Sequence, residues 1–85
     1  MARRCDVYRS PRRAGLYLYV DAAEGLARVP EALLERFGTP VKVLSFELTP
    51  ERRLARVEAA AVLAALDAQG YFLQLPPQPG REFGA

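Results

Sequence analysis

The chain has 85 residues, 51% of them apolar and 26% charged, with a net charge of +2. That length holds one small core and excludes a large nucleotide-binding domain or a barrel, while the apolar fraction excludes an intrinsically disordered chain. With no histidine and a single cysteine, the sequence builds no internal disulfide, no Cys/His zinc site and no histidine-dependent catalytic centre, so no metal or cofactor is expected.

The first structured stretch runs over residues 5–20. Two short alternating runs, 5–8 and 16–20, flank a connection punctuated by Ser10-Pro11 and Gly15. This pattern predicts a β-hairpin whose tip carries Arg9, Arg12 and Arg13. Alternation puts Leu16, Leu18 and Val20 on one face and Tyr17 and Tyr19 on the other. The simplest register adds Cys5 and Val7 to the aliphatic face, and Asp6 and Tyr8 to the tyrosine face. Residues 1–13 hold five arginines against one aspartate, whereas the remainder is slightly acidic. The positive charge is local.

Asp21 and Glu24 have the spacing of a capping box, which predicts a short helical turn ending near Gly25. Pro30 then opens a short helix over 30–37, anchored by Leu33, Leu34 and Phe37 and stopped at Gly38. Thr39-Pro40 breaks the chain before a strand over 41–48, apolar at five of eight positions and expected to be covered on both faces. Thr49 as N-cap, Pro50 at the first helical position and Glu51 in the first turn predict a helix over 50–69, closed by Gly70.

At 100° per residue, Ala55, Ala59, Val62 and Leu66 share the expected core face of that helix. Arg53, Arg56, Ala60 and Asp67 lie opposite, with Leu63 expected to be exposed beside them. Arg56, Ala60, Leu63 and Ala64 therefore form a candidate partner face, although scattered exposed apolar residues are ordinary on any protein. A last strand over 71–75 is ended by Pro76 and Pro77, since proline donates nothing to a ladder. Pro76 and Pro79 also have P-x-x-P spacing, for which a strand terminator is the plainer reading. Residues 81–85 read as a loose tail.

The longest near-apolar run, residues 59–66, is far short of the roughly 20 residues that span a bilayer. The basic start is not followed by an apolar signal-peptide core, so a cytoplasmic location and no membrane partner are expected.

Few residues suggest chemistry. Cys5 beside arginines has the setting of an activated thiolate, but its alternation with Val7 favours a buried structural thiol. Ser10 lacks a histidine base and reads as part of a Ser-Pro turn, and Asp21 with Glu24 is explained by helix capping before metal or acid–base chemistry. The richest constellation is Tyr8, Tyr17 and Tyr19 with Arg9, Arg12 and Arg13. Such sets hold single-stranded RNA by stacking bases and meeting phosphates. A sheet covered on both faces would remove the stacking platform and leave RNA the arginine tip or a sheet edge. Two function classes follow: a monomeric non-enzymatic adaptor that contacts protein or RNA through the Arg9 to Arg13 tip and the alanine-rich helix face, and a small enzyme using carboxylates or Cys5 without histidine.

Several segments resemble the YcgL-like family of small bacterial proteins in order and spacing. They are Cys5-Asp6-Val7-Tyr8-Arg9-Ser10, Tyr17-Leu18-Tyr19-Val20, Arg28-Val29-Pro30, Phe37-Gly38 and Gly70-Tyr71-Phe72-Leu73-Gln74-Leu75-Pro76-Pro77. The chain departs from other members at Ala60, Ala61, Leu63 and Ala64, where they have a polar helix face, and its tail is short. The resemblance implies one domain over residues 1–80, an α/β/α sandwich whose four-stranded sheet has the element order ββαβαβ. It supplies no catalytic residue. Genes for such proteins often lie beside that for ribonuclease D, so the resemblance also implies a link to RNA metabolism.

Overall fold

The structure, a computed structural model, describes residues 2–54 and 57–76. Strands β1 (Arg3–Arg9) and β2 (Tyr17–Asp21) are followed by helix α1 (Glu31–Phe37), strand β3 (Val41–Leu48), helix α2 (Ala59–Gln69) and strand β4 (Tyr71–Gln74). All three strand pairings are antiparallel and the sheet order is β3-β1-β2-β4, so the hairpin forms the centre and β3 and β4 are the edges. The predicted α/β fold with the order ββαβαβ is the one observed.

The hairpin register differs from the simplest one. Val7 faces Tyr19, Tyr8 faces Leu18 and Arg9 faces Tyr17, and directly opposed residues share a face. Tyr17 and Tyr19 therefore lie with Cys5 and Val7, whereas Tyr8 and Asp6 lie with Leu18 and Val20. The expectation of one oily and one tyrosine-lined face fails because each face packs under its own helix, and neither must be polar. Tyr19 tolerates burial because its hydroxyl donates to Gln74 Oε1 at 2.8 Å.

On one face α2 lays Ala59, Val62 and Leu66 over Cys5, Val7, Tyr19 and Phe46. On the other, α1 brings Phe37 onto Leu16, Leu18 and Val20, with Val29 filling the flank. Helices thus cover both sides of the sheet. The short α1 follows Pro30 and ends at Gly38, whose N–H donates to the Leu34 carbonyl at 3.0 Å.

Several local expectations are corrected. The second helix begins at Ala59 rather than residue 50. Thr49 accepts from the Arg52 N–H at 3.0 Å, which closes one turn, and Arg53 then pairs with Glu58 in an isolated antiparallel bridge. Leu54 and Val57 pack on the α2-side core from this non-helical strap, and Arg52 lies 4.4 Å from the Phe46 ring centroid. Those tertiary contacts override a good local cap. Ala55 and Arg56 lie outside the described residues. The phase of the helix itself holds for Ala59, Val62 and Leu66, but Leu63 is partly buried against the same core rather than exposed.

Strand β3 is not covered on both faces. Phe46 and Leu48 are buried, while Val41, Val43 and Leu44 are exposed, as befits a strand at the edge of the sheet. At Asp21 a turn forms without the reciprocal capping box. Asp21 Oδ1 accepts from the Ala23 N–H at 2.8 Å, and Glu24 instead pairs with Arg28 at 3.5 Å. β4 ends at Gln74, one residue before the expected Leu75. The P-x-x-P stretch beyond Pro76 and the tail over 81–85 lie outside the described residues.

Candidate functional site

The basic tip is an ordered loop. Ser10 is buried, and its hydroxyl donates to the Phe37 carbonyl at 2.6 Å while accepting from the N–H groups of Arg12 at 3.1 Å and Arg13 at 3.2 Å. One hydroxyl thereby fastens the hairpin connection to the end of α1. Arg9, Arg12 and Arg13 are exposed. Arg12 lies over Gly38 and lines a shallow depression that also holds Glu31 and Glu35, so carboxylates offset part of its charge.

A second feature has no counterpart in the sequence reading. Between Val7 and Tyr8 the β1–β3 register slips, with Val7 opposite Leu44 and Tyr8 opposite Lys42. This β-bulge gives β3 an extra residue, and bulges re-aim side chains. Val43 and Leu44, consecutive residues that a regular strand would point to opposite faces, line one groove of about 400 Å³. Tyr17, Tyr19 and Phe46 form its floor, and Arg52 and Arg53 of the strap form a cationic wall. No regular periodicity announces this arrangement; the two adjacent apolar residues Val43-Leu44 are its only trace in the sequence.

Around β1 the titratable groups are held in fixed states. Asp6 is buried, with Ser45 Oγ donating to Oδ1 at 2.7 Å and Lys42 Nζ standing 3.2 Å from Oδ2. The Ser45 hydrogen bond, and then Lys42 and Arg4, hold its carboxyl below the usual range despite burial. Lys42 also stands 5.9 Å from the Tyr8 ring centroid. Cys5 is fully buried, and desolvation, with the Asp6 charge second, pushes its thiol up to about 11. It is neutral at physiological pH and unsuited to nucleophilic attack.

The six residues of the predicted RNA site are not one surface. Tyr17 and Arg9 are paired across the α2 face, Tyr8 is on the α1 face, and Tyr19 is buried. On the candidate partner face Ala60 and Ala64 are exposed, Leu63 turns towards the core, and Arg56 is outside the described residues. Among the described residues no helix is long and apolar enough to cross a membrane, and no three His, Cys, Asp or Glu side chains gather as a set of metal ligands.

These features define a small α/β/α sandwich with a clamped basic tip and a bulge-lined groove. Residues 5–77 match the family model of the YcgL domain, and the chain belongs to that family. A YcgL domain-containing protein of Chromohalobacter salexigens is 58% identical over 78 residues, covering 91% of this chain and 81% of the relative. YcgL domain-containing proteins of Pseudomonas entomophila and Pseudomonas aeruginosa are 57% and 56% identical over 77 residues, each covering 91% of this chain and 79% of the relative.

Proposed function

We propose that the protein is a non-enzymatic cytoplasmic binding module that meets single-stranded RNA through the phosphate-facing tip Arg9, Arg12 and Arg13. The observation that carries this reading is the Ser10 clamp, which joins the N–H groups of Arg12 and Arg13 to the Phe37 carbonyl. Cations on an ordered loop lose less freedom on binding than cations on a floppy tail. The split of the tyrosines between two faces favours phosphate contact over base stacking, which makes the binding weak and tolerant of sequence. The alternative of a small enzyme fits poorly with a thiol raised to about 11 and a carboxylate held ionised by Ser45 and Lys42.

The test is binding of a fluorescent oligouridine at several salt concentrations. If three phosphates are neutralised, log affinity falls against log salt with a slope of about −2. Arg12→Glu with Arg13→Glu should abolish binding while leaving the thermal midpoint nearly unchanged. Undiminished binding by that folded variant would remove the tip as the contact. Capture of a partner from native lysate that survives ribonuclease would reassign the tip to an acidic protein.

A further inference from the structure

We propose that the β3 edge and its groove dock an extended peptide segment of a partner protein, one in which an apolar side chain is flanked by carboxylates. The proposal concerns a surface separate from the Arg12-Arg13 tip and stands without the RNA reading. β3 is an edge strand, so one row of its backbone groups points away from the sheet, as in domains that bind peptides by strand addition. Val43 and Leu44 are 45% and 51% exposed there, and the bulge turns both towards the groove. An added strand places alternate side chains on that face, and one of them would cover this apolar rim.

The charge of the groove selects the flanking residues. Its wall carries Arg52 and Arg53, and no acidic side chain is among the described residues that line it; Glu58, the bridge partner of Arg53, lines the neighbouring depression. Among the described residues neither arginine has an ion pair, and Arg52 rests on the Phe46 ring, a placement open to a carboxylate from outside. Single-stranded RNA fits less well. Phe46 and Tyr19 are each only 7% exposed and the Phe46 ring is already covered by Arg52, so neither offers a free face to a base.

The probe is a library of displayed random nonapeptides panned on the folded protein. The expected outcome is enrichment of sequences that alternate Asp or Glu with Leu, Ile, Val or Phe. A synthetic copy of the enriched sequence should shift the backbone amide resonances of β3, and should bind about tenfold more weakly to Leu44→Asp and to Arg52→Glu with Arg53→Glu. These side chains are exposed or at the groove wall, so matched thermal midpoints will show that the variants fold. Arg12→Glu with Arg13→Glu should change the affinity by less than about twofold, which separates this site from the tip. The proposal is overturned by the absence of an enriched acidic family, by amide shifts away from β3, or by undiminished binding to Leu44→Asp. A dimer in sedimentation that Leu44→Asp dissolves, or oligouridine shifting the same β3 amides, would give the edge to another occupant and overturn it equally.

Discussion

Asp6 on β1 and Ser45 on β3 are joined by a hydrogen bond of 2.7 Å, and Lys42 closes on the other carboxylate oxygen at 3.2 Å. A buried carboxylate is tolerable only when paired and hydrogen-bonded in this way. Its folded value lies below the ordinary carboxyl value of 3.8 that it has when unfolded, so the group contributes stability at neutral pH that is lost as pH falls through the folded value. Ser45→Ala removes the leading cause of the depression. It should raise the acid-unfolding midpoint followed by circular dichroism, and Lys42→Ala should shift it the same way. An unchanged acid midpoint in both variants would show that the network does not hold the charge.

Cys5 provides the opposite case. Its thiol is raised from 9.0 to about 11 by desolvation first, so stability is full below pH 9 and declines as pH rises towards the folded value. In native protein at pH 8 a thiol reagent should modify Cys5 only through global unfolding, and brief addition of denaturant should release the reaction. Prompt labelling of the native protein would contradict a sealed core.

The elements were legible wherever a local signal and the tertiary packing agreed. Pro30 and Gly38 bracket α1, Gly70 ends α2, and the alternation of residues 16–20 gives β2. Legibility failed where packing decided between locally equal options. The seven residues 10–16 that connect β1 and β2 do not dictate register, so nothing local told Tyr8 apart from Tyr17 and Tyr19. The cap at Thr49 is sound, yet Leu54 and Val57 favour the strap over a helix by reaching the core, and Arg53 pairs with Glu58 across it. The Arg52-Arg53 groove wall depends on that strap and on a bulge, and neither carries a periodic pattern. Of the candidate site, the exposed arginines of the tip could be read in advance, and the clamp that orders them could not, because Ser10 and Phe37 are 27 residues apart.

The helix phase can be tested by truncation. Leu66 is fully buried in α2, and Leu66→Ala should destabilise by about 2 to 5 kcal/mol. Leu63 packs on the edge of the same core with part of its surface in water, so Leu63→Ala should lose roughly 1 to 2 kcal/mol. Chemical denaturation with unchanged m-values is the measurement. Equal losses would place both side chains at the same depth and contradict the observed packing.

Gly70 and Gly25 both have positive φ, +88° and +58°, but they differ in what surrounds them. An alanine Cβ at Gly25 would meet nothing within 4 Å, whereas at Gly70 it would come within 2.7 Å of both Cβ and Cδ of Arg28. Arg28 is held there by its bond to the Ala68 carbonyl at 3.4 Å and by Glu24 at 3.5 Å, so it fastens the turn after β2 to the end of α2. Gly25→Ala should therefore cost only the left-handed strain, about 1 to 2 kcal/mol, and Gly70→Ala should cost that plus the displacement of Arg28. Arg28→Ala alone loses an exposed ion pair and should change stability by about 1 kcal/mol or less. Arg28→Ala removes the contact with Cδ and keeps the one with Cβ, so in that background the penalty of Gly70→Ala should fall in part but stay above that of Gly25→Ala, a coupling that a double-mutant cycle reads directly. Strict additivity of the two substitutions would mean that the outer part of Arg28 gives way freely, and that strain and the Arg28 Cβ alone reserve position 70 for glycine.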